Sequence, residues 1–125
     1  MRALGVHHVS INVSDVQAAK EFYVGVLGLG ERSDRPDFDF GGAWLDVGGQ
    51  QLHLIEGPGP TSLGQHFALQ VADLDGVVAE LRAKGVTVTD AKPVGTSRQA
   101  FLHDPCGNLV ELHEPAAELS AAEDG

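Results

Sequence analysis

The chain has 125 residues, 42% of them hydrophobic and 21% charged, the make-up of one globular domain with a real core. Eight Lys and Arg against 18 Asp and Glu leave a net charge of −10, which argues against nucleic acid or an anionic membrane as partner. No apolar run is long enough to span a bilayer, no signal peptide is visible in MRALGVHH, and the single cysteine, Cys106, excludes an internal disulfide, so a cytoplasmic protein is expected.

The first element in chain order is VHHVSINV. It alternates, with Val9, Ile11 and Val13 on one face and His8, Ser10 and Asn12 on the other, which predicts a strand. Val16, Ala19, Phe22, Tyr23, Val26 and Leu27 then recur at helical spacing, with Ser14 or Asp15 as N-cap and Gly28 as the stop. A polar segment, ERSDRPDFDF, leads to AWLDV and QQLHLI, which flank Gly48-Gly49 as a hairpin would. A two-residue loop there sets Trp44 across from His53 and Asp46 across from Gln51. After the Pro- and Gly-rich EGPGPTSLGQ, the order repeats: strand HFALQV, helix LDGVVAELRAKG, short strand VTV, then QAFLH and NLVELHE around DPCG. AAELSAAEDG, residues 116–125, reads as a flexible tail.

Sliding the chain by 58 residues places His8 on His66, Val13 on Val71, Asp15 on Asp73, Gly49 on Gly107, Leu54 on Leu112 and Glu56 on Glu114. The offset is free of gaps from first strand to last. The chain is therefore read as two copies of one βαβββ module, residues 5–57 and 63–115, in a single domain.

The repeat singles out four residues. His8 and His66 open the two first strands, and His53 and Glu111 are equivalent on the two last strands. A lone strand histidine is ordinarily a surface residue, but four metal-competent side chains at equivalent places suit one borderline divalent metal. His7, His103 and His113 break this symmetry or face away, and are assigned to the surface. Trp44 is the candidate substrate-binding wall beside the metal. Arg32, Arg35 and Arg98 are placed in irregular segments with no assigned role, and Glu56 on the face opposite His53.

Taken together, HHVSINVSDVQAAKEFYVGVLGL, HFALQVADLDGVVAELRAKGV and FLHDPCGNLVELHE resemble the vicinal oxygen chelate superfamily over about residues 5 to 115. That superfamily includes glyoxalase I, extradiol dioxygenases, methylmalonyl-CoA epimerase and the fosfomycin and bleomycin resistance proteins. The resemblance implies an α+β fold, two tandem βαβββ modules forming a curved mixed sheet around a metal-containing cleft. It also implies that His8, His66 and Glu111 hold the three positions most metal-binding members use. His53 stands where glyoxalase I usually has a glutamate and the epimerase a glutamine. DPCG departs from the common DPDG and puts Cys106 in a turn, where the thiol is expected to be structurally neutral.

Four protein ligands on an octahedral metal leave two open positions, which suit a small metabolite that chelates through adjacent oxygens. The metal, one of Zn, Ni, Co, Mn or Fe, would stabilise charge on those oxygens, with Glu111 as the proton-handling carboxylate. The expected activity is a glyoxalase-like lyase or isomerase, the expected assembly a homodimer. Two alternatives stay open. One is an extradiol-type ring-cleaving dioxygenase using iron on His8, His66 and Glu111, with His53 as an acid/base. The other is a non-catalytic resistance protein that binds a drug or metabolite.

Overall fold

A computed structural model describes residues 1–2, 4–59 and 64–116. The described residues form two compact units. Unit one holds residues up to 59 together with 104–108; unit two holds 64–103 and 109–116. Each carries its own four-stranded mixed sheet.

In unit one the elements are β1 (His8–Val13), α1 (Val16–Lys20), β2 (Gly30–Glu31), β3 (Gly42–Val47) and β4 (Gln50–Glu56), in sheet order β1-β4-β3-β2. β1 runs parallel to β4, and the other pairs are antiparallel. Asp15 is the N-cap of α1, its carboxylate accepting from the Ala18 N–H at 3.0 Å. The predicted single helix is in fact two. α1 gives way to a π-helical turn over Glu21–Val26, in which the Leu27 N–H reaches back to the Phe22 carbonyl at 2.9 Å. The wider turn lets the sequence neighbours Phe22 and Tyr23 both bury themselves. Gly28 then ends the helix with φ 82°, a conformation that costs a side chain and costs glycine little.

Alternation does its expected work in the sheet. Val13, Ala43, Leu45, Leu52 and Leu54 are buried with Ala19, Phe22 and Tyr23, and α1 lies against β3 and β4. The opposite face carries His8, Ser10, Trp44 and His53, because strand neighbours two apart share a face. The Gly48-Gly49 turn joins Val47 to Gln50, and the predicted pairs Trp44–His53 and Asp46–Gln51 are both present.

Unit two holds β5 (His66–Gln70), α2 (Leu74–Ala83), β6 (Lys92–Val94), β7 (Ser97–His103) and β8 (Leu109–Glu114), in sheet order β5-β8-β7-β6. Asp73 caps α2 at Gly76, Glu114 on β8 accepts from the Leu74 N–H at 2.8 Å, and Gly85 follows the helix with φ 85°. Leu74, Val78 and Leu81 pack with Val88, Ala100, Leu102, Val110 and Leu112. The VTV strand expected at 86–88 is not formed. Thr89 takes the ladder's role instead, its N–H donating to the Phe101 carbonyl and its Oγ1 accepting from the Phe101 N–H. The extended partner of β7 comes later, at Lys92–Val94. Arg98, expected in an irregular segment, lies on β7 and is paired with Asp75.

The two units repeat each other in register. His8 faces Gln51 in one and His66 faces Leu109 in the other, so first and last strands keep the offset of 58. The third strands do not. Trp44 faces His53, whereas the residue facing Glu111 is Phe101, 57 positions beyond Trp44. Counted from the equivalent residues Gln51 and Leu109, unit one encloses four residues before Asp46 and unit two five before His103, and the extra residue displaces β7 by one position. The gap-free offset expected from the sequence thus breaks inside the second hairpin.

That five-residue loop belongs to the core of unit one. The Asp104 carboxylate is buried and accepts from the Tyr23 hydroxyl at 2.8 Å, from the N–H groups of Cys106 and Asn108, and from Asn108 Nδ2. Asn108 Nδ2 also donates to the Asn12 carbonyl at 3.0 Å. Burial first, and the Asp104 carboxylate second, push the Tyr23 hydroxyl far above the usual phenol range. The tail and part of the linker, residues 117–125 and 60–63, lie outside the described residues; Ala116, the first residue assigned to the tail, is buried. Among the described residues no helix is long and apolar enough to cross a membrane.

Candidate functional site

Unit one brings His8 and His53 together. β1 and β4 are parallel neighbours, and His8 and His53 rise from the same face. Their rings stack with centroids 4.1 Å apart and planes 11° apart. Trp44 covers the other face of His53 at 4.4 Å and 9°, which puts the expected substrate wall against the expected ligand.

The exposures differ. His8 is exposed, while His53 retains 8% of its surface. His53 Nε2 lies 2.8 Å from Gln51 Oε1, and because that oxygen only accepts, Nε2 carries the proton and Nδ1 is left as the lone-pair nitrogen. Burial, then the neighbouring His8 and His7 imidazoles, hold His53 below the ordinary histidine range. His53 is therefore neutral near pH 7, the form a metal requires. An imidazole lone pair lies in its ring plane, so two nearly parallel rings cannot aim at one point. For both to ligate one ion, exposed His8 has to turn.

Unit two brings His66 and Glu111 together. His66 Nε2 is 2.9 Å from Glu111 Oε1, and His66 Nδ1 donates to the Gly64 carbonyl at 2.9 Å. That carbonyl, ahead of the carboxylate, raises the His66 pKa, since both nitrogens face acceptors that favour the protonated ring. The Nδ1–H to carbonyl bond is also the arrangement that orients an imidazole for ligation through Nε2. The Glu111 side chain is 12% exposed, and Phe101, directly across the ladder, sets its ring edge-on to His66 at 5.6 Å.

His113 is a correction. The expected surface residue shares the face of Glu111, two positions along β8, and its Nδ1 donates to Glu111 Oε2 at 3.0 Å. Strand parity from Glu111 carried that signal; the offset of 58 did not, because His113 falls on Ile55. Phe101 escaped notice for a related reason, since the offset aligns Trp44 with Leu102. His103 is exposed, and Glu56 has the parity of Leu52 and Leu54, opposite His53, as expected.

The donor types suit a borderline divalent ion: a neutral imidazole, a second exposed imidazole, an imidazole already oriented by a carbonyl, and a carboxylate. Among the described residues no three His, Cys, Asp or Glu side chains are arranged to hold a metal ion. Each unit by itself offers a pair.

The family described as the Glyoxalase/Bleomycin resistance protein/Dioxygenase superfamily matches residues 5–112, and the chain belongs to it. The lactoylglutathione lyase of Escherichia coli O157:H7 is 31% identical, over 86% of this chain and 90% of that one. TnmS3, an antibiotic binding protein from Streptomyces sp. CB03234, has a solved structure 28% identical, with a TM-score of 0.76 over 93% of this chain and 99% of that one. A variant of the fosfomycin resistance protein FosX from Listeria monocytogenes, solved with Mn(II) and a dihydroxypropylphosphonic acid, shares the fold at 20% identity. Its TM-score is 0.79, covering 97% of this chain and 99% of that one.

Proposed function

We propose that this protein is a divalent-metal-dependent lyase or isomerase of the glyoxalase kind, acting on a small metabolite that chelates the metal through adjacent oxygens. His8, His53, His66 and Glu111 are its proposed ligands. The observation that carries the reading is that each unit pairs its two repeat-equivalent candidates on neighbouring strands, His8 with His53 and His66 with Glu111. Lactoylglutathione lyase activity in a relative 31% identical supports the same class. The single cysteine fits a cytoplasmic location.

A divalent ion bound there supplies Lewis acidity toward the substrate oxygens. The chain's own residues do the rest. Glu111 is the proposed proton carrier, with Oε1 on the His66 side and Oε2 held by His113, so that its position is fixed before substrate arrives. His53 stays neutral and is steadied by Gln51, while Trp44 excludes water from one side of it.

Metal analysis of protein purified without added metal, followed by assays with the metal found, tests this. Formation of lactoylglutathione from methylglyoxal and glutathione, or another oxygen-independent isomerisation, is the expected result. Iron with oxygen uptake on catechols makes the protein a dioxygenase instead. Tight capture of a compound by metal-free protein, with no turnover under any metal, makes it a binding protein.

A further inference from the structure

Unit two carries a cleft of about 320 Å³ between α2 and the chain that follows it. Four of its lining residues, Asp75, Val78, Ala79 and Arg82, stand on one face of α2 at the spacing a helical face repeats. Asp90 and Ala91, beyond the helix, and Arg98 on β7 close it. Arg98 has the strand parity of Ala100 and Leu102, which are buried where α2 packs on β7. Phe101, which faces Glu111, has the opposite parity. The cleft is therefore on the other side of this sheet from the His66–Glu111 pair, and the proposed metal chemistry makes no use of it.

Its floor is small and apolar, Val78, Ala79 and Ala91, and its walls are two ion pairs. Arg98 grips Asp75 through both terminal nitrogens at 2.9 Å. Arg82 is held differently. Its Nη2 donates to the Val88 carbonyl at 2.7 Å and to Asp90 Oδ1 at 2.9 Å, so buried Val88 fixes the guanidinium whether or not Asp90 stays. These bonds use only Nη2 and Oδ1, which leaves Nε and Nη1 of Arg82 and Oδ2 of Asp90 spare. The two side chains are 46% and 84% exposed, and a pair that wet loses little when it opens.

The charges narrow the occupant. Half of the chain's eight Lys and Arg (Arg82, Lys84, Lys92 and Arg98) fall in residues 82–98, where Asp90 is the only acid. In a chain of net charge −10, that stretch lets an anionic group approach. Within the cleft the signs balance, two arginines against two aspartates. A bare anion there meets two carboxylates, and a bare cation meets two guanidiniums. A molecule carrying both signs side by side satisfies Arg82 and Asp90 together.

We propose that this cleft is a second ligand site, for a zwitterionic α-amino acid with a short aliphatic side chain. The ligand's carboxylate takes the spare donors of Arg82, its ammonium group the Asp90 carboxylate, and its side chain the floor of Val78, Ala79 and Ala91. A volume of about 320 Å³ stands at the small end of ligand sites and suits a molecule of that size. The site does not rest on the metal-dependent reading above.

Blocking one charge at a time tests it. Whole protein, stripped of metal with a chelator, is titrated with valine, N-acetylvaline and valinamide, and the backbone amide resonances of Ala79 and Ala91 read both affinity and position. Valine is expected to bind and to move both resonances. The two blocked forms, each lacking one charge, are expected to bind about ten-fold more weakly or worse. Ala79→Leu puts a good helix former at an exposed helical position, so the melting temperature should hold while the filled floor weakens valine about ten-fold. Asp90→Asn should weaken valine by a similar factor, leave N-acetylvaline unchanged and so erase the discrimination between them. Resonances unmoved by valine, equal affinity for the three probes, or wild-type binding of valine by Ala79→Leu overturns the site. Discrimination that persists in Asp90→Asn overturns the assignment of the ammonium group to that carboxylate.

Discussion

Glu111 is gripped at both oxygens, by His66 on one and His113 on the other. As the sole carboxylate among the proposed ligands, it is the one that would offset part of the ion's charge, so Glu111→Ala should abolish metal retention and any isomerase activity. His53→Ala should weaken binding clearly but less, because a neutral donor is lost and the charge balance is kept. Chelator competition on the two variants checks the order; wild-type retention by His53→Ala would remove His53 from the ligand set. His113 acts one step back. His113→Phe frees Oε2 and should cost about 10–100-fold in metal affinity, with His113→Asn recovering much of it by restoring a donor. An unchanged chelator titration for His113→Phe would make it a bystander.

His53 and His66 should also titrate apart in metal-free protein. Burial lowers His53 from 6.5, and the Gly64 carbonyl with Glu111 raises His66 above it. For His66 the folded value exceeds the unfolded one, so its contribution to stability is full below the unfolded value and lost as pH rises through the folded one. For His53 the sign reverses, and stability is lost as pH falls through about 6.5 toward its depressed value. Imidazole resonances in a pH series should show His53 titrating at lower pH than His66; coincident titration would contradict both environments.

At the scale of elements, the hydrogen bond from Tyr23 to Asp104 joins the π turn to the loop 104–108. Tyr23→Phe keeps the ring and removes the donor from a buried carboxylate that still has its two N–H partners and Asn108. A loss of about 1–3 kcal/mol in chemical denaturation is expected. A change within error would mean water replaces the hydroxyl.

Legibility followed the physics of each element. Strands with one buried face wrote themselves into alternation, and of the two N-cap candidates for the first helix, Ser14 and Asp15, the second serves. The Gly48-Gly49 turn fixed the Trp44–His53 pair in advance because a two-residue loop leaves no freedom of register. The VTV stretch misled, since a β-branched run has strand propensity whether or not a partner exists, and here Thr89, just beyond it, supplied the bonds with its backbone N–H and its Oγ1. The π turn has no alternation or period of its own to read. In the candidate site, four residues were visible through internal symmetry; Phe101 was hidden by the place where the two hairpins differ in length, and His113 because its counterpart in the first half is Ile55, whose side chain binds nothing.

For the whole molecule, family membership and the matching registers of two units account for the architecture, and assembly is the remaining prediction. The linker EGPGPTSLGQ carries two prolines and three glycines, a composition suited to an extended crossover. A homodimer is expected, with His8 and His53 of one chain sharing a metal with the other chain's His66 and Glu111. Sedimentation at tens of micromolar should show it, and a strictly monomeric profile would refute the exchange.

The seating of residues 104–108 in unit one has a consequence for the order in which the protein can be made. A ribosome delivers β1 through β4 long before it delivers Asp104 and Asn108. Until then the contacts that Asp104 makes to the Tyr23 hydroxyl and Asn108 makes to the Asn12 carbonyl are not yet in place. The N-terminal half, although it holds a whole module of the repeat, is thus committed to completing itself last, after most of the second half has been translated. Duplication doubled the plan, and the longer second hairpin made the first copy depend on the second.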